Sequence, residues 1–117
     1  MTRGVGKGGT LALVMSGSGV IATVVDPEGR QVTLDAEGWQ HIVANHPEMT
    51  GYWSSVLITL GNPEWHQGDP RPGRERYYRR GTGPSRWCLV VVDFTQTRGR
   101  VITAFGTRRD PEGWQQQ

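Results

Sequence analysis

Residues 86–94, Arg-Trp-Cys-Leu-Val-Val-Val-Asp-Phe, constrain the fold more than any other stretch of the chain. The run is apolar almost without alternation and rich in β-branched side chains, the pattern of a strand covered on both faces. Residues 100–105, Arg-Val-Ile-Thr-Ala-Phe, repeat it after a five-residue loop. The two runs are expected to pair antiparallel at the centre of a sheet. Such a sheet needs a packed layer beside it, and the sequence upstream supplies one as helices.

Asp35 is a good N-cap for the first helix, because its carboxylate can accept from an unpaired amide of the first turn. Leu34 before it and Trp39 within it have the spacing of a hydrophobic staple. Trp39, Ile42 and Val43 share one apolar face, and Asn45 suits the exit because it tolerates the conformation that often ends a helix. Pro47 favours the first position of a new helix, which makes His46 its N-cap and puts Glu48 in the first turn. The second helix is expected over about 47–60, with Trp53, Val56, Leu57 and Leu60 as its buried stripe and Gly61 as its end. On this reading the His46 ring lies beside a helix N-terminus, where free amides could hold an anion such as phosphate. His41 lies ~140° around the helix from His46, so the two do not share a face.

Upstream, residues 20–25 are β-branched and apolar, and residues 30–34 can pair with them through the turn Asp26-Pro27-Glu28-Gly29. Downstream, residues 61–73 carry three prolines and three glycines, a loop with a short edge strand around 63–66. Residues 74–80, Arg-Glu-Arg-Tyr-Tyr-Arg-Arg, read as a strand with a charged outer face. The expected fold class is α+β, two N-terminal helices packed on a twisted antiparallel sheet. Residues 1–18 are expected as a flexible glycine-rich lead-in, 19–107 as the single domain, and 108–117 as a polar tail.

No apolar run approaches the ~20 residues that span a membrane, and residues 11–15 are too short for a signal-peptide core. Cys88 has no partner for an internal disulfide, which fits a cytoplasmic setting. The charge is asymmetric: residues 1–70 hold three basic and seven acidic side chains, a balance of −4, whereas residues 71–117 hold ten and four, a balance of +6. Twelve of the thirteen cations are Arg, the side chain suited to bidentate phosphate contact. A polyanionic partner on a surface supplied by the second half follows from this, and nucleic acid is the natural one.

The order of motifs then becomes informative. Trp39-x-His41-Ile42, His46-Pro47-Glu48, a helix ending near Asn62-Pro63, Tyr77-Tyr78-Arg79, Val90-Val91-Val92 and Ile102-Thr103-Ala104-Phe105 together resemble the phage-associated branch of the BECR ribonucleases. That superfamily groups barnase, EndoU, colicin nuclease and RelE-type domains, and the resemblance runs from about residue 34 to 105. It implies a BECR/RelE-like fold and a metal-independent endoribonuclease, a toxin or effector that leaves 2′,3′-cyclic phosphate ends and needs no cofactor. The implied partners are RNA, a transfer or messenger RNA, and a cognate inhibitor or antitoxin protein.

Such cleavage needs a base for the 2′-OH proton, an acid for the leaving 5′-oxygen, and donors for the charge building on the phosphate. His46 suits proton transfer, the usual role of an imidazole; its plainer role is a helix cap. His41 fits the resemblance, though an exposed helical histidine is commonplace. Tyr78 and Arg80 alternate with Tyr77 and Arg79, so one pair faces the cleft and the other faces away. Tyr78 and Arg80 are the candidates, and a solvated edge strand is the plainer reading. Thr103 interrupts an apolar strand and can donate to phosphate, while also being a good strand former. Arg74, Arg76, Arg79 and Arg86 are the expected RNA contacts. His66 has no spacing partner, and no Cys/His cluster or carboxylate set of metal type is present in the sequence. Two other readings compete: a non-catalytic RNA-binding module, and an interaction domain whose basic face binds an acidic protein.

Overall fold

The computed structural model describes residues 11–13 and 19–115. Strands β1 (Leu11–Leu13), β2 (Val20–Val25) and β3 (Gln31–Asp35) come first. Helix α1 (Ala36–Asn45), a 3-10 turn (Pro47–Met49) and helix α2 (Trp53–Gly61) follow. Strands β4 (Trp65–Gly68), β5 (Arg74–Arg80), β6 (Trp87–Asp93) and β7 (Gly99–Thr107) complete the chain. All seven strands form one sheet in the order β1-β2-β3-β7-β6-β5-β4. Every pairing is antiparallel except β3 with β7, which is parallel over Val32↔Gly99 and Thr33↔Arg100.

This overturns the expected arrangement of two N-terminal helices on an antiparallel sheet. Three strands precede the helices, and the sheet is mixed. The reason is non-local: a parallel neighbour requires a long crossover, here everything from α1 to β6. Two residue pairs make the join, and no local pattern announces them. Gly99 at this join leaves room for the Phe94 ring, since a Cβ there would stand 2.6 Å from it. Of the expected lead-in, residues 1–10 and 14–18 lie outside the described residues, and Leu11–Leu13 is paired with β2.

The hairpin, the helix cap and the two central strands form as the residues dictate. Asp35 accepts from Gly38 N at 2.6 Å and starts α1. A Cβ on Gly38 would lie 3.4 Å from Val101 O, so this glycine lets α1 settle closely on β7. The second helix is broken rather than continuous from Pro47. A three-residue 3-10 turn comes first, and α2 begins only at Trp53. Val56, Leu57 and Leu60 are buried as its stripe, whereas Trp53 is 36% exposed.

The helices cover one face of the sheet, where Leu34, Ile42, Met49, Leu60, Val90 and Val92 are among the buried core. On the opposite face a smaller cluster, Tyr78, Trp87, Leu89 and Val91, is flanked by Trp65, Ile102, Phe105 and Trp114. No helix covers that second face among the described residues. Its β4 end is roofed by Trp114, whose ring meets Trp65 and Trp87 edge-on at 5.6 and 4.9 Å, and Tyr78, Leu89 and Val91 are buried beneath their own neighbours. Residues 110–114, expected as tail, are thus tied to the sheet, and Asp110 accepts from Arg86 Nε and Trp87 Nε1 at 2.8 Å each.

Candidate functional site

The uncovered face settles the alternation along β5. Tyr77 is fully buried in the helix-side core, and Tyr78 belongs to the opposite cluster. By the two-residue period of a strand, Arg74, Arg76 and Arg80 share the open face with Tyr78. Cross-strand register places Val91 and Leu89 beside Arg76 and Tyr78, and Thr103 and Phe105 beside those in turn. A β-bulge between Val91 and Val92 displaces the start of β7, so that Ile102, Thr103 and Phe105 all border one depression with Arg71, Arg74 and Arg76.

His46 reaches this face by an unexpected route. It caps no helix with its side chain, and its backbone (φ −136, ψ 74) forms the corner between α1 and the 3-10 turn. The expected anion site at a helix N-terminus is therefore absent, because a three-residue turn offers no such end. Its ring instead stacks on Phe105, with centroids 4.9 Å apart and planes inclined by 24°. Nδ1 stands 3.7 Å from Glu48, and the side chain is 32% exposed. His46 is thus an imidazole stacked on Phe105, which itself borders the arginine-lined depression. In the sequence Phe105 stands as a motif residue and not as a site candidate, although its two-residue offset from Thr103 puts it on the same face.

The other candidates divide. His41 is exposed and hydrogen-bonded with Asn45, in a neighbouring depression with Glu37, Arg100 and Ile102; Ile102 borders both depressions. Arg79 alternates to the helix side and donates to Asn62 O at 2.8 Å. Arg86 precedes β6 and pairs with Asp110. Arg80 is bound to Glu64, with Nη2 3.0 Å from Oε2, and lies over the Trp114 ring at 4.8 Å. Glu64 is held below the usual carboxylate range chiefly by that Arg80 hydrogen bond.

The groove arginines are also partnered. Arg76 Nε donates to Asp69 at 2.6 Å, and Arg74 Nε lies 3.6 Å from Asp93. Burial pushes the Asp69 carboxyl up, but the Arg71 amide and the Arg76 guanidinium outweigh it, so Asp69 is lowered overall. Among the described residues the side chains of Arg71, Arg79, Arg98, Arg108 and Arg109 have no carboxylate partner, and Arg79 is held by the Asn62 carbonyl. The basic balance of the second half is thus concentrated in fewer free cations than the composition implies.

A second polar cluster lies at the same end of β5, on its helix-side face. Tyr77 Oη and Arg30 both donate to the buried Asp26, and Arg30 also binds Glu75 at 2.6 Å. His66 stacks on Tyr77 at 4.2 Å and shares a 2.7 Å hydrogen bond with Glu75. His66 therefore has partners that sequence spacing could not suggest.

Among the described residues no three His, Cys, Asp or Glu side chains converge as a metal site would require, and no helix is long and apolar enough to cross a membrane. No protein-family model, curated protein or solved structure matches this chain. The resemblance to the BECR ribonucleases accordingly stands on the sequence motifs alone.

Proposed function

We propose that the chain is a metal-independent endoribonuclease that lays single-stranded RNA across the open face of β5, β6 and β7. The observation that carries this reading is the His46 ring stacked on Phe105 at the edge of the groove containing Arg74, Arg76 and Thr103. An imidazole titrates near neutral pH, guanidinium groups and a hydroxyl meet phosphate oxygens, and the partly buried Phe105 ring leaves an edge on which an unpaired base can pack. In the proposed reaction His46 takes the 2′-OH proton and the 2′-oxygen attacks phosphorus. The P–O5′ bond then breaks. Arg74, Arg76 and Thr103 hold the phosphate as its charge builds. The departing 5′-oxygen takes a proton from a second donor, for which the Tyr78 hydroxyl on the same face is the candidate. The products are a 2′,3′-cyclic phosphate and a 5′-hydroxyl.

Incubation of RNA with the protein in excess chelator, followed by identification of the new ends, tests the proposal. Cyclic phosphate ends are expected; intact RNA or 5′-phosphate ends would refute it. A second reading, a non-catalytic RNA-binding module, is favoured by the burial of Tyr78, which at 3% exposed has little access to a leaving group. Intact RNA that is nonetheless bound would select that reading.

A further inference from the structure

Two depressions lie side by side on the open face and share Arg76 and Phe105. The one beside the β4–β5 loop adds Arg71, Arg74 and Thr103, with Asp69 largely covered and bound by Arg76, so cations outnumber its one carboxylate and the lining suits phosphate. The other adds Tyr78, Leu89, Thr107, Arg109 and Asp110. Its chemistry is different. Leu89 and the aromatic rings give apolar contact, and its carboxylate, unlike the covered Asp69, is exposed and can accept N–H donors from a ligand.

That carboxylate is fixed in position. Asp110 Oδ1 accepts from both Arg86 Nε and Trp87 Nε1, while Oδ2 has no donor among the described residues. The Trp87 and Arg86 hydrogen bonds also hold the acid below its usual range, so it is ionised at neutral pH. Beside it, the exposed Arg109 guanidinium has no carboxylate partner among the described residues. A fixed acceptor therefore adjoins a free cationic donor at the end of an aromatic groove.

We propose that this second depression is a guanine-reading subsite, an inference that rests on the RNA-cleaving role proposed above. Guanine offers an acceptor, O6, next to two adjacent donors, N1–H and the N2 amino group. Arg109 would donate to O6 or N7, the commonest specific contact of an arginine with a base, and Asp110 Oδ2 would accept from the adjoining N–H groups. Adenine and cytosine present one amino group and uracil one imino N–H, so each leaves Asp110 with fewer donors. The desolvated, unmatched carboxylate then disfavours those bases. Phosphate in the first depression and guanine in the second set the direction of the RNA strand across Arg76.

Calorimetric titration with the 3′-monophosphates of guanosine, adenosine, cytidine and uridine tests this directly. The guanosine nucleotide is expected to bind at least about fivefold more tightly than each of the others, the low end of a good base contact. Asp110→Asn should erase the preference while leaving the other three affinities within about twofold. Because Asp110 also anchors Arg86 and Trp87, its thermal midpoint is recorded alongside. Arg109→Gln, at an exposed site with no partner to lose, should weaken guanosine binding selectively without shifting that midpoint. Equal binding of all four nucleotides, or a preference that survives both substitutions, overturns the guanine subsite and leaves the open-face reading intact. Binding of none overturns both.

Discussion

Tyr77 Oη donates to Asp26 Oδ2 at 2.7 Å, joining residues 51 positions apart and four strands apart in the sheet. The β2–β3 turn must therefore curl over the helix-side face of β5, closing the core at that end. Asp26 has no exposed side-chain surface, so its charge is compensated wholly by this tyrosine, Arg30 and neighbouring amides. Tyr77→Phe removes one donor from a buried carboxylate and should cost ~1–3 kcal/mol. Urea denaturation at neutral pH measures it, and an unchanged midpoint would show that Arg30 alone suffices.

The same contact fixes a pH response. Burial pushes the Asp26 carboxyl up, but its hydrogen bonds from Tyr77 and Arg30 outweigh that, and the net direction is down. Glu75 is lowered as well, chiefly by Arg30. A carboxyl lowered by folding stabilises fully above its unfolded value of ~3.9 for Asp, and that stability is lost as pH falls through the folded value. Thermal midpoints should therefore drop below about pH 4 and hold steady just above it. In Tyr77→Phe the drop should be shallower, because less of the depression remains to be lost. Parallel curves for the two proteins would remove Tyr77 from the account.

His46 lies at the corner without a side-chain capping bond, so its replacement is a cleaner test of chemistry than a cap residue would be. His46→Ala and His46→Gln should each lower RNA cleavage in chelator by ~10²–10⁴, the usual loss of one acid or base. RNA affinity should stay within a few-fold of the parent. Cleavage at the parental rate by both folded variants would transfer the proton-transfer role to another group, with Tyr78 next in position.

Asp69 and Arg76 yield a prediction of opposite signs. Arg76→Gln removes a phosphate contact and should flatten the slope of log affinity against log salt by ~0.7. Asp69→Asn releases Arg76 from its 2.6 Å partner and should tighten RNA binding at low salt. Filter binding across a salt series reads both; weaker binding by Asp69→Asn would mean that Asp69 is needed to aim the guanidinium.

Two tryptophans separate burial from periodicity. Trp87 is fully buried, so Trp87→Ala should cost ~3–5 kcal/mol. Trp39 packs only partly against the helix-side core, so Trp39→Ala should cost clearly less. Calorimetric unfolding decides, and equal losses would place Trp39 deeper than its partial exposure allows.

What the sequence made legible was local. The Asp26–Gly29 turn, the Asp35 cap and the antiparallel pairing of β6 with β7 each depend on residues a few positions apart, or on an unbroken apolar run. The register of β5 needed the fold, since Tyr77 and Tyr78 are chemically alike and only the layer beneath distinguishes them. The arginine partners were hidden for the same reason: Glu64 and Asp69 meet Arg80 and Arg76 through the β4–β5 pairing. His46 reached the open face by a corner rather than a helix end, because Pro47 opened a 3-10 turn too short to be an anion site. Asp110 and Trp114 were read as tail because their neighbours are polar, although their contacts are with residues far upstream in sequence.

The two-residue parallel join between β3 and β7 has a consequence for the chemistry proposed at Phe105. Beyond Arg100, the flank of β7 facing β3 has no strand neighbour among the described residues, and α1 and the Pro47 turn pack there instead. That vacancy is the passage through which an imidazole from the helical layer reaches the opposite side of the sheet. Had the β3–β7 pairing continued five residues further, to the level of Phe105, the β3 backbone would have walled off His46 from that ring. The reach of the histidine is thus governed by where a strand stops.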